Sequence, residues 1–248
     1  MAETCAFPEG GYRFLKAGYQ FSSGVAAEPG FEIERARLVR PLPLAAGLRV
    51  VEAHLARLGR PTTAFAACEL RSPRPFSEQG FDDFNQEYVK TLERWGVYRN
   101  GTNPVARTNV CPLYNSPAEP VLHAFSYAAE SRGGRGSFIV AGGAEVRGGV
   151  EGYAARTVRY GETSLEAMRD KVRHVVGLMS ARLEALGFSW ADATSVQAYT
   201  VHDIGALLGP EIAARSGHEA VAWYLARPPV LGLEFEMDVR GAAREIVL

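Results

Sequence analysis

The 248-residue sequence is poor in the residues that build disulfide frameworks or metal sites: it has three cysteines (Cys5, Cys68, Cys111) and five histidines (His54, His123, His174, His202, His218). The cysteine count is odd, no CxxC pair occurs, and the histidines show neither HxxxH nor HxH spacing. Neither a set of structural disulfides nor a zinc site is expected. An excess of one charge is missing as well. Twenty-seven Lys+Arg stand against 28 Asp+Glu, a net charge of −1, and without a basic surplus no nucleic-acid partner is expected. No apolar run approaches the roughly 18 residues of a membrane span, so no membrane partner is expected. The opening Met1-Ala2-Glu3-Thr4-Cys5 has neither the basic front nor the apolar segment of a secretory signal, which points to a cytoplasmic location. Phosphate loops, GxGxxG fingerprints and GxSxG elbows are absent too. The expectation is an enzyme with no cofactor and no metal, doing hydrolytic or other non-redox chemistry.

What is present is an ordinary globular composition, 47% apolar and 22% charged, ample for a large core. Strands are expected at Tyr12–Phe21, Phe31–Val39 and Thr63–Leu70. Leu48, Val51, Leu55 and Leu58 share one face of a helix over Leu44–Leu58, with Gly59 as its cap. Phe81, Phe84, Tyr88, Leu92 and Trp95 mark a second helix, followed by strands at Val105–Leu113 and Val121–Ala128. Ser131-Arg132-Gly133-Gly134-Arg135-Gly136 then reads as a linker. Beyond it the order recurs. Strands are expected at Ser137–Gly142 and Tyr153–Tyr160, then a long helix from Thr163-Ser164 to Leu186 closed by Gly187. A strand at Thr194–Tyr199, a helix at Ile204–Ala214 and strands at Ala220–Leu225 and Leu231–Val239 complete it. Each half therefore reads β-β-α-β-α-β-β. Leu55-Ala56-Arg57-Leu58-Gly59 also parallels Leu183-Glu184-Ala185-Leu186-Gly187, as an internal duplication would.

Five segments extend this into a resemblance. Phe21-Ser22-Ser23-Gly24-Val25, Phe84-Asn85 with Tyr88, and Pro104-Val105-Ala106-Arg107-Thr108 are similar to the first-strand turn, the Asn-x-x-Tyr helix pattern and the Pro-Ala-Arg-Ser segment of the reactive intermediate deaminase (RidA/YjgF-like) superfamily. Ala226-Arg227-Pro228-Pro229 and Leu233-Glu234-Phe235-Glu236 resemble its Arg-Leu-Pro stretch and closing Glu-rich strand. The resemblance implies an α+β chain of two tandem RidA-like domains, 1–130 and 137–248, each a mixed sheet covered by two helices on one face. The two-domain length, with Pro104 to Pro112 and Arg227 to Asp238, looks more narrowly like deaminases of 2-aminomuconate and its 5-chloro derivative. The departures are specific. Residues 122–127, Leu-His-Ala-Phe-Ser-Tyr, lack the family's glutamate. The position matching Arg107 in the second half falls near His218-Glu219-Ala220, and the family's frequent cysteine is here Asn109. Either a complete site combines the two halves, or only one half kept its function.

The resemblance makes Arg107 the ligand of a substrate carboxylate, and the chemistry agrees, since a guanidinium fork donates two parallel hydrogen bonds. Glu234 and Glu236 are two apart in an expected strand and would share a face. One with a raised pKa would serve as base for the attacking water, the other holding it; solvation, or pairing with Arg240 or Arg244, is the competing reading. Arg227, stiffened by Pro228-Pro229, is a second carboxylate ligand or an interface residue. Asn109 adjoins Arg107, and His123 and Tyr127 share strand parity that would line a pocket or the core. The expected activity is hydrolytic deamination of an enamine or imine acid. A chorismate-processing enzyme of related fold and a non-catalytic small-acid-binding or partner-binding protein are the alternatives. A small carboxylate substrate and a homotrimer of six RidA-like domains are the expected partners.

Overall fold

Buried stripes fix the three long helices, and serine side chains cap two of them. In the computed structural model, which describes residues 3–149, 151–217 and 221–248, α1 spans Leu44–Arg57 and α2 spans Glu78–Arg94, with Ser77 Oγ accepting from Gly80 N. α3 is a single turn, Tyr153–Arg156, and α4 runs Leu165–Leu186. Ser164 Oγ accepts the Ala167 N–H at the start of α4, and Gly187 at φ +83° ends it. Only glycine adopts that left-handed cap without strain. Its buried stripe of Met168, Val172, Val175, Met179, Leu183 and Leu186 is the expected one.

The strands are β1 (Thr4–Phe7), β2 (Tyr12–Leu15), β3 (Gly24–Ala27), β4 (Phe31–Pro43), β5 (Phe65–Arg71), β6 (Ala106–Pro112), β7 (Val121–Glu130), β8 (Phe138–Ala144), β9 (Ser195–Tyr199), β10 (Ala222–Tyr224), β11 (Ala226–Arg227), β12 (Glu236–Gly241) and β13 (Arg244–Val247). They form two mixed sheets, so the chain is α+β. One has seven strands, β1-β2-β3-β8-β12-β9-β10, and the other six, β11-β6-β5-β7-β4-β13. α4 packs on the seven-stranded sheet through Val140, Val196, Met237 and Val239. α1 and α2 pack on the six-stranded sheet through Ala36, Leu70 and Phe125. A third apolar cluster joins the opposite faces of the sheets, Phe14, Val25 and Ile139 meeting Ile33, Ala67 and Ala128. The layers are thus helix, sheet, sheet, helix. Between the sheets lies a buried ionic layer as well, in which Glu69 of β5 contacts Arg35 of β4 at 2.6 Å and Arg240 of β12 at 3.2 Å.

The sheets do not divide at residues 131–136. β3 pairs with β8, so the N-terminal strands complete the sheet otherwise built from residues beyond 137. In return β13 pairs with β4, and β11 with β6. The chain therefore crosses between the sheets several times, and the space between them is built by both halves.

Several local expectations are corrected. Tyr153–Tyr160 is not a strand: Ala154, Ala155 and Arg156 favour a helical turn, and Glu78 Oε1 accepts the exposed Tyr153 N–H at 2.9 Å. The strand expected from Leu231 starts only at Glu236, because Gly232 turns the chain at φ +83°. The helix expected over Ile204–Ala214 is broken into short pieces around a π-helical stretch at Leu208–Ala213, where Gly209 and Pro210 disrupt the regular ladder. The expected strand from Ala220 is described only from Ala222 onward. The His218-Glu219-Ala220 position lies outside the described residues. No helix among the described residues is long and apolar enough to cross a membrane.

Candidate active site

A cavity of ≈ 480 Å³ opens where β6, β8 and β12 meet the loop after β8 and the helices α2, α3 and α4. Arg107 and Asn109 enter it from β6, and Glu236 from the start of β12. All three are buried. The first belongs to one sheet and the last to the other, so the cavity draws on both halves of the chain.

Arg107 is held by aromatic rings rather than by an acid. Its guanidinium carbon lies 4.8 Å from the ring centroids of Phe21 and Tyr88, 5.5 Å from Phe84 and 5.6 Å from Phe81. Such ring faces offset part of the desolvation cost of a buried cation. Burial lowers its pKa, with nearby Tyr88, Cys68 and Glu236 opposing. Nη2 donates to Asn85 Oδ1 at 2.6 Å, while the buried Nη1 has no partner among the described residues. A buried donor without a partner is costly, so Arg107 presents an N–H group that a bound anion would satisfy. Asn109 is similar: its Oδ1 accepts from Ser72 Oγ at 2.9 Å, and its Nδ2 is unsatisfied.

Glu236 is the carboxyl that faces these donors. Its pKa is raised well above the ordinary 4.5, first by burial, then by the charges of Asp238 and Glu145, with Arg182 and Arg107 opposing. The shift favours the protonated carboxyl, the form that can donate a proton. None of the described residues hydrogen-bonds to it. Two glycines make room for it. A Cβ on Gly142 would collide with Glu236 Oε1, and one on Gly143 would lie 2.8 Å from Met179 Cε and 2.9 Å from Arg182 Nη1. The Gly142 N–H donates to Thr108 Oγ1 at 3.1 Å, tying β8 to β6 across the sheets.

The remaining sequence candidates lie elsewhere. Glu234 is outside the β12 ladder, so strand parity does not place it beside Glu236. Its Oε2 accepts from Arg227 Nη1 at 2.9 Å and lies 2.7 Å from His202 Nε2. Neither Glu234 nor Arg227 lines the cavity. Tyr127 donates to Glu34 Oε2 at 2.6 Å and packs in the core beneath α1. His123 does not share its surroundings, because the β5–β7 register shifts between Glu69 and Leu70. Burial, then Arg71, pushes the His123 imidazole down to about 4. Neither residue reaches the cavity.

Sequence reasoning missed Tyr153, Arg156 and Arg182, which line it. The one available signal was Gly142-Gly143 inside a strand, a pattern that marks close approach of another group.

Comparison with known proteins finds sequence relatives along the full chain. The family model for 2-aminomuconate deaminase CnbZ matches residues 4–246. A 2-amino-5-chloromuconate deaminase of Comamonas testosteroni is 57% identical over 251 residues, covering 100% of both chains. Among solved structures, a chorismatase aligns with a TM-score of 0.49 at 15% identity, covering 96% of this chain and 78% of that one. A putative endoribonuclease of Thermotoga maritima aligns at 0.31 and 20% identity, covering 43% and 78%.

Proposed function

The chain belongs to the 2-aminomuconate deaminase family, and on that premise we propose that it is a cofactor-independent hydrolytic deaminase of a 2-aminomuconate-type ring-cleavage product. The observation that carries the reading is one cavity shared by Arg107, with its unsatisfied N–H, and the buried Glu236 carboxyl, whose pKa is raised.

The chemistry follows from those two groups. Arg107 and Asn109 hold the carboxylate next to the amino-bearing carbon. Glu236 gives its proton to the enamine carbon, which turns the C=C–NH2 unit into a C–C=NH2+ iminium. The resulting carboxylate takes a proton from water as the water oxygen bonds to the iminium carbon, giving a neutral carbinolamine. Glu236 then protonates nitrogen, the C–N bond breaks, ammonia leaves, and the carbinol proton returns to Glu236. One water is consumed, one ammonia and one 2-oxo acid form, and the carboxyl ends as it began. A carboxyl with a raised pKa suits both donation and acceptance near neutral pH.

The finer features belong to the same proposal. We read the chain as two RidA-like units, 1–130 and 137–248, whose terminal strands are exchanged, assembled as a homotrimer in the cytoplasm. Exposed Val39, Tyr114 and Leu231 are apolar surface available for subunit contact. Light scattering on the purified protein tests the assembly, and a monodisperse monomer would overturn it.

The activity is tested by mixing purified protein with 2-aminomuconate and measuring ammonia. One equivalent per substrate consumed is expected. Binding without ammonia release would instead favour a non-catalytic small-acid-binding protein.

A further inference from the structure

The cavity carries more positive charge than a single carboxylate requires. Besides Arg107 it is lined by Arg147, Arg156 and Arg182. None of these four makes an ion pair with a carboxylate among the described residues. Several arginines elsewhere pair with carboxylates, Arg35 with Glu69, Arg159 with Glu162, Arg173 with Glu211 and Arg240 with Asp238, whereas others such as Arg13 and Arg60 donate to main-chain carbonyls. Concentrating unpaired guanidinium groups in one concavity is unfavourable unless an anion arrives to balance them.

Two of them are also aimed. Arg182 reaches from α4 past the bare Gly143 backbone, and its Nη1 donates to Ala141 O at 2.9 Å. Its Nε and Nη2 have no partner among the described residues. Burial pushes its pKa down to about 10, with Glu236 opposing. Arg156 donates through Nε to Glu151 O at 2.6 Å and through Nη1 to Arg147 O at 2.9 Å, and lies 5.2 Å from the Tyr153 ring centroid. That leaves its Nη2 unclaimed. Main-chain carbonyls orient both groups without neutralising them, which preserves their charge for a ligand.

We propose that Arg182 and Arg156 form a second carboxylate clasp, distinct from Arg107, which makes the cavity selective for linear dicarboxylates over monocarboxylates of the same length. The inference rests on the deaminase reading for its substrate class, but it concerns binding alone. In this arrangement one substrate carboxylate meets Arg107 and the other meets Arg182 and Arg156, all of which line the cavity that also holds Glu236.

The test is calorimetric titration with two unreactive probes, muconate and sorbate. Sorbate is the same six-carbon diene with a methyl group in place of one carboxylate. Wild-type protein is expected to bind muconate roughly 10- to 100-fold more tightly, the range of one charge-assisted contact set. R182Q and R156Q should each lose muconate affinity while leaving sorbate unchanged, and R182K should recover only part of it, because a point charge lacks the fork. R107Q should weaken both probes. If the muconate-to-sorbate ratio is unchanged in R156Q and R182Q, the clasp is wrong. Arg156 is only half-buried, on a single-turn helix at the cavity rim, so R156Q decides the matter even if R182Q does not fold. Failure of wild-type protein to release ammonia would sink the deaminase reading and leave this binding result standing. Normal ammonia release with an unchanged ratio would sink the clasp alone.

Discussion

Arg107 and Glu236 stand on different sheets, on β6 and β12, yet line one cavity. Neither half of the chain holds both groups, and the N-terminal strands β1 to β3 complete the sheet that carries Glu236.

Replacing Arg107 tests the anion end. Arg107→Gln removes a buried charged donor and leaves the aromatic cage in place. A reduction of about 100-fold in kcat/KM is expected, mostly through KM, in line with loss of a charge-assisted hydrogen-bond pair. Steady-state kinetics with 2-aminomuconate check this, and unchanged kinetics would remove Arg107 from the site.

Glu236→Gln separates chemistry from folding. General acid–base catalysis contributes about 10²- to 10⁴-fold, so kcat should fall by at least about 100-fold. Stability should move the other way. The folded state holds the Glu236 proton more tightly than the unfolded state does. Above the ordinary value of 4.5 the unfolded chain releases that proton first, so wild-type stability falls as pH rises toward the folded pKa. E236Q lacks this loss. Its Tm should exceed that of wild type at pH 8, with the gap closing toward pH 4. A wild-type Tm equal to that of E236Q across this range would contradict the raised pKa.

Gly142→Ala should preserve the fold and lose activity. The added methyl meets Glu236 Oε1 and lies 3.2 Å from Thr108 Cα, displacing the carboxyl. A misplacement of about 1 Å costs roughly 100-fold in rate. Circular dichroism and kcat/KM measured together check this, and full activity would show that the close approach is unimportant.

Lys171 and Glu145 form a fully buried ion pair at 3.2 Å, and Glu145 also accepts the N–H groups of Glu234 and Phe235. That pair anchors the segment entering β12. Lys171→Met strands the buried carboxylate and is expected to destabilise the protein by about 3–5 kcal/mol, as measured by urea unfolding. A change below about 1 kcal/mol would contradict the anchoring role.

The helices and the Arg107 segment were legible because their signals are local. Ser164, the apolar stripe and Gly187 define α4 within one stretch of sequence, and Pro104 to Asn109 lies within a single strand. What escaped was long-range. Nothing near Thr4 or Arg244 announces that β1–β3 and β13 pair with the other half's strands. An unbroken strand would pair Glu234 with Glu236, whereas Gly232 turns the chain before β12 begins. Arg182 lies beside a helix stripe that reads as core, and its reach into the cavity depends on Gly143 in a different element.

The most direct test of the account is a crystal structure of E236Q with 2-aminomuconate bound. The account predicts one carboxylate on the Arg107 guanidinium and the amino-bearing carbon facing residue 236. Ligand found instead at Arg227, Glu234 and His202, with the cavity between the sheets empty, would contradict it.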